Sequence, residues 1–216
     1  QIGGEPRRII ASTKGLNLQW SADGTEYVYS KDGAIFIGSV RDTTTRKVIG
    51  PAATRDRADT TRTDRYSVVR LSGDAKTIVA SNREGLWLVD AQNGNKELIV
   101  AQPADDREGI RYSVADVTED GQRVYLTVSA RTKWERGIAR YDRSSKQLRD
   151  LVKDSRLYSG VRLSGDDSTL FFTRADGNRP SQLFAADPDL GSARPLVEPP
   201  AELRDKVLSR TALVEY

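Results

Sequence analysis

Four times along the chain an apolar run, an aspartate-centred turn and a second apolar run follow one another. The copies lie at 18–29, 69–79, 115–126 and 161–173, with turn aspartates at Asp23, Asp74, Asp120 and Asp166. Successive turn aspartates are 51, 46 and 46 residues apart. Four short strands in roughly 40–50 residues are the repeat of a propeller blade, an antiparallel four-stranded sheet. The expected fold class is therefore all-β, a β-propeller.

Strands are expected at 15–20, 26–30, 34–40 and 46–49 in the first copy, and at 66–71, 77–81, 86–90 and 96–100 in the second. The third copy gives 112–117, 122–128, 137–142 and 147–152, and the fourth 158–163, 169–173, 182–187 and 194–197. Val, Ile, Leu, Tyr and Phe fill these stretches and polar residues bound them. Trp20 and Trp87 fall inside strands and read as core. The segment 5–12 resembles the last strand of each copy, so the expectation is four complete blades plus the outer strand of a preceding one.

The connections differ in kind. First-to-second-strand turns are tight and built on Asp and Gly, which tolerate positive φ. Blade-to-blade and second-to-third-strand connections are longer and charged (51–65, 83–84, 101–111, 131–136, 154–156 and 174–180), and they emerge on the opposite face. A rigid sheet that positions variable loops is the usual site of binding. The candidates there are Arg83, Arg131, Lys133, Trp134, Arg136 and Arg174. Within 131–136 a Trp among three cations suits stacking on a ligand and bidentate grip of a carboxylate, or packing on a blade edge. The segment 55–65 alternates Arg with Asp and reads as self-neutralising.

Composition excludes several chemistries. The chain has no Cys and no His, so thiolate nucleophiles, disulfides, Cys-ligated zinc and a self-contained Ser-His-Asp triad are ruled out. No Gly-x-Ser-x-Gly elbow and no glycine-rich phosphate loop occurs, and Ser72 and Ser164 sit beside turns. The turn aspartates read as turn chemistry rather than calcium ligands, and Asp105-Asp106 and Asp166-Asp167 as solvated charge rather than acid–base pairs. No cofactor is implied. The 34 basic and 31 acidic residues are interleaved, which argues against a nucleic-acid partner. No run approaches the roughly 18 apolar residues of a membrane span. The compartment stays open between bacterial cytoplasm and periplasm.

After 197 the pattern breaks. Glu198-Pro199-Pro200-Ala201-Glu202-Leu203 has linker character, and 207–216 starts something new. The repeats, this linker and the closing Thr211-Ala212-Leu213-Val214-Glu215-Tyr216 together resemble the prolyl oligopeptidase family of serine peptidases, whose repeats TolB-type propellers share. The resemblance implies blades at 1–197, a linker at 198–206 and, at 207–216, the start of an α/β-hydrolase domain whose catalytic residues lie beyond Tyr216. It implies a wheel of seven or eight blades, of which this chain holds four. The function implied is substrate gating for a peptidase acting on short peptides, with the hydrolase domain and the peptide as partners. The alternatives are a stand-alone TolB-like propeller serving as an interaction or ligand-binding module, and a closed four-bladed propeller with a ligand in its channel.

Overall fold

Sixteen β-strands make up every element of the described residues, and they pair into four antiparallel sheets of four. The computed structural model describes residues 16–41, 44–51, 64–102, 109–130, 133, 135–176, 179–197 and 202. The expected strand at 5–12 and the segment 207–216 lie outside them, as does 198–206 apart from Glu202. The chain divides into two compact units, Gln1–Ala101 and Gln102–Tyr216. The first unit holds β1 (Gln19–Trp20), β2 (Glu26–Lys31), β3 (Ala34–Ser39) and β4 (Thr45–Ile49), then β5 (Ser67–Leu71), β6 (Thr77–Ser81), β7 (Gly85–Asp90) and β8 (Lys96–Ala101). The second holds β9 (Ile110–Val117), β10 (Arg123–Ala130), β11 (Arg136–Asp142) and β12 (Gln147–Asp154). Its other sheet is β13 (Leu157–Leu163), β14 (Leu170–Asp176), β15 (Arg179–Ala186) and β16 (Arg194–Pro195).

Burial explains why these runs are strands and where they sit. Middle strands are covered on both faces, so β6 reads as the nearly unbroken apolar run Thr-Ile-Val-Ala, all four buried. Outer strands are covered on one face only, so β8 exposes Lys96 and buries Ile99. In the first unit the two sheets share a core of Val28, Ile35 and Ile37 against Val68, Ile78 and Val89. In the second, Ala115, Tyr125 and Ile138 meet Val161, Leu170, Phe172 and Phe184. Trp87 packs on the edge of the first core, but Trp20 is 45% exposed, contrary to its expected burial. The reason is that β1 is a two-residue edge strand, and the indole covers Tyr27 from outside.

The first strands of three copies carry a bulge at the same place. Val69, Ala115 and the pair Gly160-Val161 have no single cross-strand partner. A bulge bends its strand and re-aims the next side chain, here Arg70, Asp116 and Arg162. Those residues tie neighbouring sheets together: Arg70 Nη1 donates to Gln19 Oε1 at 3.3 Å and Arg162 Nη1 to the Ala115 carbonyl at 2.6 Å. The Leu163 amide donates to Asp116 Oδ2 at 2.9 Å.

The aspartate turns are built alike in all four copies. A hydroxyl two residues before each aspartate (Ser21, Ser72, Thr118, Ser164) donates to its Oδ1 at 2.6–2.7 Å. The same Oδ1 accepts the amide two residues on, at 2.9–3.1 Å. The hydroxyl oxygen in turn accepts the amide five residues after it, at 2.9–3.0 Å. The residue after the aspartate is left-handed in each: Gly24, Ala75, Gly121 and Asp167 have φ of 68°, 59°, 68° and 57°. Ser72 and Ser164 are therefore turn-builders. Asp166 is exposed and Asp167 partly so, and Asp167 Oδ2 accepts the Glu119 amide of the neighbouring sheet at 2.7 Å. Asp105-Asp106 lies outside the described residues.

These bonds have a pH signature. Hydrogen bonds from Ser21 and Thr25 lower Asp23 from 3.8 to about 2, and those from Ser164 and Ser168 lower Asp166 likewise. A carboxyl depressed on folding adds stability that is fully present above its ordinary pKa and is lost as pH falls through the depressed one. Urea midpoints are expected to fall between pH 4 and pH 2. The double variant Asp23→Asn/Asp166→Asn, less stable at pH 7, is expected to lose less over that interval. Parallel loss in parent and variant would show that these two turns are not the source.

On the sheet face turned away from the first core, Trp20, Tyr27, Tyr29 and Phe36 form a continuous aromatic stripe with centroids 5.3, 6.4 and 5.4 Å apart. Tyr27 lies over Gly38, where a Cβ would come within 2.5 Å of the ring, so a glycine is required inside β3. The Tyr27 hydroxyl is buried and has no hydrogen-bond partner among the described residues. Burying a donor unmade costs about 1–3 kcal/mol. Tyr27→Phe is accordingly expected to match or exceed the parent's stability, by up to about 1–2 kcal/mol in urea denaturation. A clear loss would mean that the hydroxyl contributes a bond.

Candidate functional site

In each unit, the second-to-third-strand turns and the sheet-to-sheet connection emerge at the end opposite the aspartate turns. In the first unit, Asn82 Oδ1 accepts the Glu84 and Gly85 amides at 2.9 and 3.0 Å and the Trp87 indole N–H at 2.7 Å. One side chain thus clamps the turn that carries Arg83, which is exposed at its tip. Beside it Lys96 Nζ lies 4.8 Å from the Trp87 ring centroid and donates to the Tyr66 hydroxyl at 2.5 Å, a cation held by one aromatic face and one phenol oxygen.

In the second unit the same end is denser in polar groups. Arg136 opens β11 and turns back on its own hairpin, donating to the carbonyls of Ala130 at 2.6 Å and Glu135 at 3.0 Å. Lys133 is exposed, and the neighbouring Lys153 pairs with Glu135 at 3.2 Å. Asp154 accepts the Arg156 amide and guanidinium, both at 2.8 Å, and the Tyr158 hydroxyl at 3.0 Å. Burial alone would push the Asp154 carboxyl up, but these donors outweigh it and leave its pKa lowered. Burial, and next the bond to Asp154, raise the Tyr158 phenol, so it stays a neutral donor.

Arg174 is not in a loop. The ladder between β14 and β15 continues past Phe172–Phe184 through Arg174–Gln182 to Asp176–Arg179, so most of the expected 174–180 loop is the end of a hairpin. The physical reason is the aromatic layer below. Phe172 and Phe184 stack at 5.5 Å, Tyr158 meets Phe172 at 6.0 Å, and the Arg174 guanidinium carbon sits 4.0 Å from the Phe184 centroid. Tyr158, Arg174 and Gln182 are cross-strand neighbours on one face, one step above this layer.

Of the six expected residues, then, Arg83 and Lys133 are exposed at turn tips, Arg136 closes its own hairpin, and Arg174 joins Tyr158 and Gln182. Arg83 belongs to the other unit; Arg131 and Trp134 lie outside the described residues. Sequence reasoning missed Tyr158, Phe184 and Gln182. Their signal was an alternation that runs on through Phe172 and Arg174, and again through Gln182 and Phe184, beyond where the apolar run stops. Among the described residues no three His, Cys, Asp or Glu side chains converge as metal ligands do. What the second unit's loop end offers is hydrogen-bond donors over aromatic rings.

No protein-family model matches this sequence, and no curated protein matches it. The likeness is to solved structures. TolB from Acinetobacter baumannii superposes with a TM-score of 0.55 at 16% identity, over 90% of this chain and 46% of that one. These sheets are propeller blades. A prolyl endopeptidase, analysed for the role of inter-domain dynamics in catalysis and specificity, matches with a TM-score of 0.59 at 14% identity, over 87% of this chain and 29% of its own. An oligogalacturonate lyase from Vibrio parahaemolyticus matches at 0.58 and 12%, over 85% and 54%. The chain thus spans about half of TolB and of the lyase and under a third of the endopeptidase. No helix among the described residues is long and apolar enough to cross a membrane.

Proposed function

We propose that this chain is the propeller portion of a serine peptidase of the prolyl oligopeptidase kind, and that it restricts which peptides reach a catalytic domain. The observation that carries the reading is the superposition on a prolyl endopeptidase over 87% of this chain but only 29% of that protein. Puromycin hydrolase gives the same proportion, 82% of this chain against 28% of its own with a TM-score of 0.52. The loop end of the second unit supports the same role: half-buried donors over aromatic rings suit a peptide's carbonyl and carboxylate groups. The mechanism is steric and orienting. A rigid set of blades admits short, flexible chains, and its polar loop end holds them while the chemistry occurs elsewhere.

The experiment uses the full reading frame that encodes this chain. Its product is expected to be labelled by a fluorophosphonate and to cleave short chromogenic prolyl peptides, while the present chain, lacking His and Cys, gives no turnover. Deleting the blades is expected to extend cleavage to larger proteins. A full-length product that neither labels nor cleaves rejects the reading and favours a second one, a TolB-like interaction module, which the 90% coverage of this chain by TolB supports.

A further inference from the structure

Arg174 differs from its neighbours in what it touches. Arg140 meets Asp142 and Asp189, Arg156 meets Asp154, and Arg136 meets backbone carbonyls. Arg174 is half-buried over the Phe184 ring, and among the described residues no oxygen accepts any of its N–H groups. Gln182, beside it in register and on the same face, is likewise half-buried with no partner for its amide among the described residues. Two adjacent side chains with unmet donors are costly in a half-dry site unless something is to be held there. Stacking on Phe184 also fixes the guanidinium before any ligand arrives, so less side-chain freedom is lost on binding.

The chemistry selects the ligand. A guanidinium presents parallel N–H groups that match the two oxygens of a carboxylate, and a primary amide adds one more donor. The nearby Asp154 opposes an anion, but its charge is already met by Arg156 at 2.8 Å and its second bond by Tyr158. Arg174 is left without an anionic partner among the described residues. We infer that the corner formed by Arg174, Gln182, Tyr158 and Phe184 binds a carboxylate of a peptide, from its C-terminus or from an acidic side chain. This deepens the proposed gating role by naming the group recognised, and rests on that reading only for the ligand being a peptide.

The test uses the present chain, labelled with nitrogen-15, and follows the Arg174 Nε–H signal, assigned by its disappearance in Arg174→Lys. Three peptides are titrated: N-acetyl-trialanine as the free acid, the same peptide as the C-terminal amide, and an amidated peptide with a central Glu. One or both acids are expected to shift the signal saturably and to bind about tenfold or more tightly than the neutral amide. Which acid does so identifies the source of the carboxylate. Arg174→Lys, which keeps the charge, is expected to weaken the acid about tenfold by losing the bidentate fork, and Gln182→Leu to weaken it several-fold. The inference is overturned if acids and amide titrate alike, if no peptide moves the signal, or if Arg174→Lys binds the acid as well as the parent. Because no peptidase activity is read, failure here leaves the gating proposal standing, and an inert full-length protein leaves carboxylate binding standing.

Discussion

Replacing Arg140 by Leu is expected to destabilise the chain by about 2–3 kcal/mol, far more than a surface charge is worth. Arg140 is buried in the second unit, with its side chain 7% exposed. Its Nε lies 3.1 Å from Asp142 and its Nη1 2.9 Å from Asp189, and Nη1 also donates to the Pro188 carbonyl at 3.4 Å. Tyr125, buried beneath, donates its hydroxyl to the same carbonyl at 3.1 Å. Burial works against the charged guanidinium, but bonds to Tyr125 and Asp142 outweigh it and its pKa is raised. A cation so enclosed joins β10 and β11 to the turn after β15, and so clips the two sheets together. Removing it leaves Asp142, only 21% exposed, with Arg149 Nε at 3.6 Å as its remaining cation. The figure stays below the roughly 3–5 kcal/mol of a fully buried pair because Asp189 is 62% exposed and Arg149 also reaches it. Urea denaturation at constant m checks this, and Asp189→Asn is expected to cost about 1 kcal/mol or less. Equal losses for the two variants would remove Arg140 from the centre of the cluster.

Most of the architecture was legible in the sequence because the repeat supplies its own alignment. Thr77–Ser81 was placed to the residue at both ends, many other strands at one end, and most of the remaining boundaries shifted by one or two. The turn aspartates were found and Ser72 and Ser164 were read as standing beside turns, but the bonds that Ser21, Ser72, Thr118 and Ser164 make at the same offset in every copy were not. Each hydroxyl is half of its turn's hydrogen bonding. Bulges at Val69 and Ala115 were not legible, since a bulge leaves the alternation of apolar residues nearly intact while rotating Arg70 and Asp116 toward the neighbouring sheet. Charge misled the reading at 174–180. Arg174 and Asp176 read as loop, yet the ladder carries them because Phe184 offers the guanidinium an aromatic face. The Arg140 cluster was invisible for a related reason: Asp142 is near in sequence, but Asp189 is brought in by the fold.

Leu170→Ala is expected to cost about 3–4 kcal/mol. Leu170 has no exposed surface and opens β14, where it faces Leu163 on one side and Ala186 on the other. Ala186 is already minimal, and Ala115 across the sheet interface is too, so neither can swell into the space that Leu leaves. Tyr125, Ile138 and Phe172 sit on middle strands fixed by ladders on both sides, which limits collapse. A cavity that cannot close keeps its full cost. Leu170→Met separates packing from strand preference, because it conserves volume and is expected to cost under about 1.5 kcal/mol. Leu183→Ala is the control: this residue is 41% exposed on the opposite face of the same sheet, and its loss is expected within about 1 kcal/mol. If Leu170→Ala and Leu183→Ala fall together in urea, the blade is held by its ladders rather than by the interface, and the shared core assigned to Ala115, Tyr125 and Ile138 is not what joins the two sheets.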